Sequence, residues 1–70
     1  GRIDLVIELH KAIYIIEVKI NDTIENALSQ IKDMGYSEKF ANKNKTIYTI
    51  AIIFSTETRN IEEFKVLKQQ

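Results

Sequence analysis

Apolar positions along this chain keep two different periods, and each change of period marks a new element. Residues 2–9 (RIDLVIEL) and 12–20 (AIYIIEVKI) are rich in branched side chains and apolar at nearly every second position, which predicts two β-strands. Only His10 and Lys11 separate them, short enough for an antiparallel hairpin. Over residues 21–35 (NDTIENALSQIKDMG) the period lengthens. Ile24, Ala27, Leu28 and Ile31 recur at i, i+3, i+4 and i+7, one apolar face of a helix. Asp22 is the expected N-cap, Glu25 completes a start like a capping box, and Gly35 is placed for a left-handed C-cap.

Residues 36–41 (YSEKFA) predict a short helical turn capped by Ser37, and 42–46 (NKNKT) a polar loop. Residues 46–55 (TIYTIAIIFS) predict a third strand, apolar at almost every position from Ile50, a pattern that suits a central strand covered on both faces. A turn over 56–60 (TETRN) leads to 61–68 (IEEFKVLK), whose weak alternation predicts an edge strand rather than a helix. The expected class is α/β, in the order β-β-α-β-β. The helix joins the second strand to the third, so those two are expected to run parallel through a right-handed crossover. One helix covers one face, whereas a sheet of this class wants both covered. The expectation is therefore a partial domain spanning residues 1–70, or a bare face met by a second copy, a homo-oligomer.

Composition narrows the partners. A chain of 70 residues is one small domain and buries only about 60% of its unfolded surface. It has no cysteine, so no disulfide or thiolate metal site supports it, which fits a reducing, cytoplasmic setting. Apolar residues at 44% and charged ones at 29% are ordinary for a soluble globular domain. No apolar run approaches the roughly 18 residues of a membrane span, and no signal peptide is expected. Lysine plus arginine balance aspartate plus glutamate at ten each, so no broad basic field draws in nucleic acid. Such a ligand must be held by a local site or by a metal ion. Gly1 and Gly35 are the only glycines and no nucleophilic serine or cysteine constellation exists, which argues against GTPase, kinase and dinucleotide chemistry.

Three charges interrupt the apolar hairpin: Asp4, Glu17 and Lys19. If the turn is centred between His10 and Lys11, opposed positions sum to 21, and Asp4 faces Glu17. Opposed residues share a side of the sheet with Cβ atoms about 4.5–5.5 Å apart. Lys19 lies two residues on, on the same side and opposite Arg2. Loops of even length keep this register, a four-residue loop from Leu9 to Ala12 being favoured; an odd loop puts the carboxylates on opposite faces. The other side collects Ile3, Leu5, Ile7, Tyr14, Ile16 and Val18 and is expected to be the helix-covered core. The charged side also carries Val6, Ile13 and Ile15. Two carboxylates this close repel unless something positive intervenes. A divalent cation does so, since Mg²⁺ takes one or two carboxylates plus water and phosphate. A salt bridge from Lys19 to Glu17 or Asp4 does so equally well.

An Asp in one strand, Glu-x-Lys at the end of the next (Glu17-Val18-Lys19) and a helix carrying Gln30 resemble the PD-(D/E)XK nuclease superfamily. "GRIDLVIE", "IYIIEVKI", "ALSQIKDMGY" and "FSTETRNIEEFKV", in that order, resemble its domain found at the C-terminus of bacterial AAA-ATPase-like proteins, over about residues 1 to 66. The resemblance implies a restriction-endonuclease-like core with Asp4 and Glu17 binding Mg²⁺ (or Mn²⁺) and the Val18 carbonyl as a third ligand. It implies Lys19 positioning or activating the hydrolytic water, Gln30 beside it, and a cleaved phosphodiester, in DNA more readily than RNA. The first helix and strand of that core, and the ATPase-like domain, have no counterpart in these residues. A non-catalytic module of the same fold, serving partner binding or self-association, is the competing reading, and nucleic-acid binding without cleavage a third.

The remaining candidates read as structural. His10 is a solvated turn residue and Tyr36 a packing residue. Arg2 and Arg59 either touch phosphate or pair with carboxylates. Lys39, Lys43 and Lys45 belong to a solvated loop. Gln30 lies off the apolar helix line, as either an exposed or a site residue.

Overall fold

The computed structural model describes residues 2–41 and 44–68, and the side chains of all of these but 2, 3 and 37. Strand β1 (Arg2–Glu8) and strand β2 (Ala12–Ile20) form an antiparallel hairpin. Helix α1 (Ile24–Met34) and the single-turn helix α2 (Tyr36–Lys39) lead to β3 (Thr46–Ser55), which runs parallel to β2. Strand β4 (Asn60–Lys68) returns antiparallel along β3, giving one four-stranded mixed sheet in the order β1-β2-β3-β4. The β-β-α-β-β order is the expected one, with α2 as an added turn.

The hairpin has the even register. Asp4 lies opposite Glu17, Leu5 opposite Ile16 and Glu8 opposite Ile13. Leu9 N–H donates to the Ala12 carbonyl at 2.8 Å, closing the turn.

Which face the helix covers is a correction. The buried row is Ile13, Ile15 and Glu17 on β2 with Ile47, Thr49, Ala51, Ile53 and Ser55 on β3. Ile24, Ala27 and Ile31 of α1 pack there against Ala51 and Ile53. Tyr36 of α2 packs with Ile13, Ile15 and Ile47, and Met34 and Phe40 join them. The carboxylate side is thus the covered one. The row read as core is the open one: Leu5 is 50% exposed, and Tyr14, Ile16 and Val18 are half-buried. Apolar content does not choose between these faces. A right-handed crossover to a strand on the far side of β2 from β1 fixes the face that α1 crosses.

For the same reason β3 is central by hydrogen bonding but covered by α1 and α2 on one face only. Across the open face Ile16, Ile50 and Val66 stand in one row, Val18, Ile52 and Phe64 in the next. Phe64 is 65% exposed there, and Tyr14 stacks on Tyr48 with ring centroids 5.2 Å apart.

Two caps also differ from expectation. Thr23, not Asp22, is the N-cap of α1: its hydroxyl accepts from Asn26 N–H at 3.2 Å. Asp22 sits one residue earlier, accepting from Thr23 N–H at 2.8 Å and from the Asn26 amide at 2.7 Å. The partner three residues past the cap is therefore Asn26 rather than Glu25. Ser37 lies inside α2, whose N-cap is Gly35. Gly35 ends α1 as expected, in the left-handed region at φ 64°, with its N–H on the Lys32 carbonyl.

Candidate active site

The candidate residues of β2, Glu17 and Lys19, lie toward its C-terminal end, which leads into α1. Glu17 is 1% exposed beneath the helix, so burial orders one carboxylate of the pair. Asp4, opposite it on the edge strand β1, is exposed. The pair therefore has one fixed member and one open to water. Glu17 Oε1 accepts no hydrogen bond among the described residues, although the side chain does interact elsewhere. Val18, between Glu17 and Lys19, belongs by strand alternation to the opposite face, so only its main chain stands between these two candidates.

Lys19 shares the face of Glu17, and its side chain is 16% exposed. Its Nζ donates toward Gln30 Oε1 at 3.5 Å, so the helix brings Gln30 to the lysine. Gln30 precedes the buried Ile31 and flanks the apolar stripe, and it is half-buried rather than solvated. The ion pair of Lys19 is with Asp22 Oδ2 at 3.4 Å. Sequence reading took Asp22 for a helix cap alone; the i,i+3 spacing from Lys19 was the available signal. The Asp22 carboxyl is held below its usual 3.8, first by the Asn26 amide and the Thr23 N–H; desolvation opposes them, and Lys19 lowers it further but by less.

The other candidates separate from this cluster. His10 is exposed in the turn and Tyr36 is buried in the core. Lys39 is exposed, with Nζ 5.3 Å from the Tyr36 ring centroid. Lys45 is not a simply solvated residue: it pairs with Glu8 at 2.8 Å, near the hairpin turn. Arg59 is an exposed turn residue with φ 56°. Lys43 and the Arg2 side chain lie outside the described residues, and the Arg2 backbone pairs with Lys19. Among the described residues no group of three or more His, Cys, Asp or Glu side chains converges as a metal cage. No helix among them is long and apolar enough to cross a membrane.

A protein from the vnfD 5′ region of Azotobacter chroococcum mcd 1, uncharacterized, is 31% identical over 68 residues, covering 94% of this chain. The chain spans 13% of that relative's length. No solved structure matches the chain. The mixed sheet with its Asp4–Glu17 pair and Glu-x-Lys strand end accompanies a match to a known family over residues 1–64. On that match the chain belongs to the PD-(D/E)XK nuclease superfamily.

Proposed function

We propose that this chain is the catalytic part of a metal-dependent nuclease that hydrolyses phosphodiester bonds, in DNA in preference to RNA. The observation that carries the reading is the register: Asp4 opposite Glu17, with Lys19 on the same face and in contact with Gln30. Two carboxylates and the Val18 main-chain carbonyl make an all-oxygen donor set. That set fits Mg²⁺, or Mn²⁺, which accepts few protein ligands and keeps several waters. When bound, such an ion lowers the pKa of its water and polarises a phosphoryl oxygen.

The chain's own residues do the rest. Glu17, fixed by burial, and Asp4, open to solvent, hold the ion at the strand ends where a nucleic-acid backbone has access. Lys19 positions the hydrolytic water and sets positive charge against the charge that develops on the phosphoryl oxygens. Gln30 restrains Lys19. The wider setting belongs to the same proposal: a bacterial, cytoplasmic protein in which this segment follows an AAA-ATPase-like domain. The rest of that protein supplies the first helix and strand of the core.

Calorimetry and cleavage test the reading together. Titration of the full-length protein with Mg²⁺ or Mn²⁺ should show binding that Asp4→Ala removes, and plasmid nicking should be lost in Lys19→Ala. Metal binding with no cleavage of any DNA or RNA would overturn it in favour of a non-catalytic partner-binding or self-associating module. The open apolar sheet face, with Phe64 and Val66 more than half exposed, is the observation that favours this second reading.

A further inference from the structure

Lys19 is approached by two residues, one just before α1 and one within it. Gln30 Oε1 lies 3.5 Å from its Nζ and Asp22 Oδ2 lies 3.4 Å away. The two oxygens of Asp22 are used differently. Oδ1 takes both local bonds, from Thr23 N–H at 2.8 Å and from the Asn26 amide at 2.7 Å. A carboxylate needed only to start the helix would be satisfied by that oxygen. Fixing Oδ1 twice removes the side chain's rotational freedom and turns Oδ2 toward the ammonium.

We infer that Asp22 is a positioning residue for Lys19, an inference that rests on the nuclease reading of Lys19 given above. An ammonium carries three N–H donors on a flexible four-carbon stem. With one donor drawn to Gln30 and one to Asp22, the stem is confined to one arrangement and the third donor is left for water or a phosphoryl oxygen. Gln30 alone leaves the ammonium a cone of positions about a single long contact. Asp22 supplies the second fixed point, and because α1 starts at Ile24 it moves with the helix that carries Gln30.

The test is made in the full-length protein with Asp22→Asn, which keeps an acceptor oxygen for Thr23 and Asn26 and removes the charge facing Lys19. The expected result is a fall in kcat of about tenfold to a hundredfold with KM unchanged, the scale set by small misplacements of a catalytic group. Thr23→Ala, which weakens the helix cap without touching the ion pair, should leave kcat as it was. A second readout is independent of cleavage: NMR of ¹³Cε-labelled lysine, with Lys19 assigned through Lys19→Arg, should show the Lys19 side chain gaining mobility in Asp22→Asn. An unchanged Lys19 signal overturns the inference, as does an unchanged kcat in Asp22→Asn. If the unmodified protein cleaves nothing, the nuclease reading fails, and the Lys19 signal alone decides whether Asp22 positions the side chain.

Discussion

Ala51 offers the sharpest test of how packing supports the site. It is fully buried on β3, is the Cα partner of Glu17 on β2, and packs under Ile24, Ala27 and Ile31 of α1. Ala27, facing the sheet, is also fully buried, so helix and sheet meet with two methyl groups in the seam. Ala51→Leu forces three further carbons into that seam. Overpacking of this kind costs about 1–3 kcal/mol, since neighbours must leave their rotamers or the helix must lift. Taking about 2 kcal/mol, opening of α1 becomes about 30-fold more frequent. Hydrogen exchange followed by mass spectrometry on peptides from residues 24–34 measures this locally, whatever the rest of the protein does. A lifted helix also carries Gln30 away from Lys19, so on the proposed nuclease reading cleavage should fall although none of the proposed site residues has changed. Exchange in α1 that is as slow as in the unmodified protein would refute the close-packed seam and the argument built on it.

Gly35→Ala should destabilise by about 1–2 kcal/mol through its left-handed φ alone, because a Cβ there meets nothing within 4 Å; Gly35→Asn should cost less, and urea unfolding separates the two. Asp22, whose folded pKa lies below the usual 3.8, contributes stability that is fully present above that value and lost as pH falls through the lowered one. The difference in melting temperature between the unmodified protein and Asp22→Asn should therefore shrink in acid; a constant difference from about pH 6 to about pH 2 would contradict the assignment. Phe64→Ser, at a site 65% exposed, should change stability by less than about 0.5 kcal/mol yet reduce binding of an apolar dye to the chain, unless another surface covers that face.

The features legible in sequence were those fixed by local counting. The hairpin register followed from the parity of one turn, and the Asp4–Glu17 pairing from the register. The α1 face followed from the spacing of Ile24, Ala27, Leu28 and Ile31. β4 was hard to read for a physical reason: nearly all of it is exposed, so burial has not sorted its residues into alternating classes. The covered face of the sheet was misread because it depends on crossover handedness, which acts over the whole β2-α1-β3 unit and leaves no mark on any one residue. Asp22 and Thr23 are both good N-caps, and sequence alone does not separate adjacent candidates. The Lys45–Glu8 pair, 37 positions apart, has no local signal at all.

Helix α1 links the stability of the fold to the proposed site at the strand end. Its centre is set by packing on Ala51 and Ile53, and that packing determines how far Gln30 reaches over β2. Its start is tied to Asp22 by the Asn26–Asp22 bond, which fixes where the second anchor of Lys19 stands. Both routes end on the same ammonium. Asp4 depends on neither, because it is held by pairing of the edge strand β1 with β2. Perturbing α1 should therefore separate two properties that a single rigid site would lose together. Substitutions in the helix should disturb Lys19 and the buried Glu17 before they disturb Asp4, and substitutions that break the β1 hairpin should do the reverse.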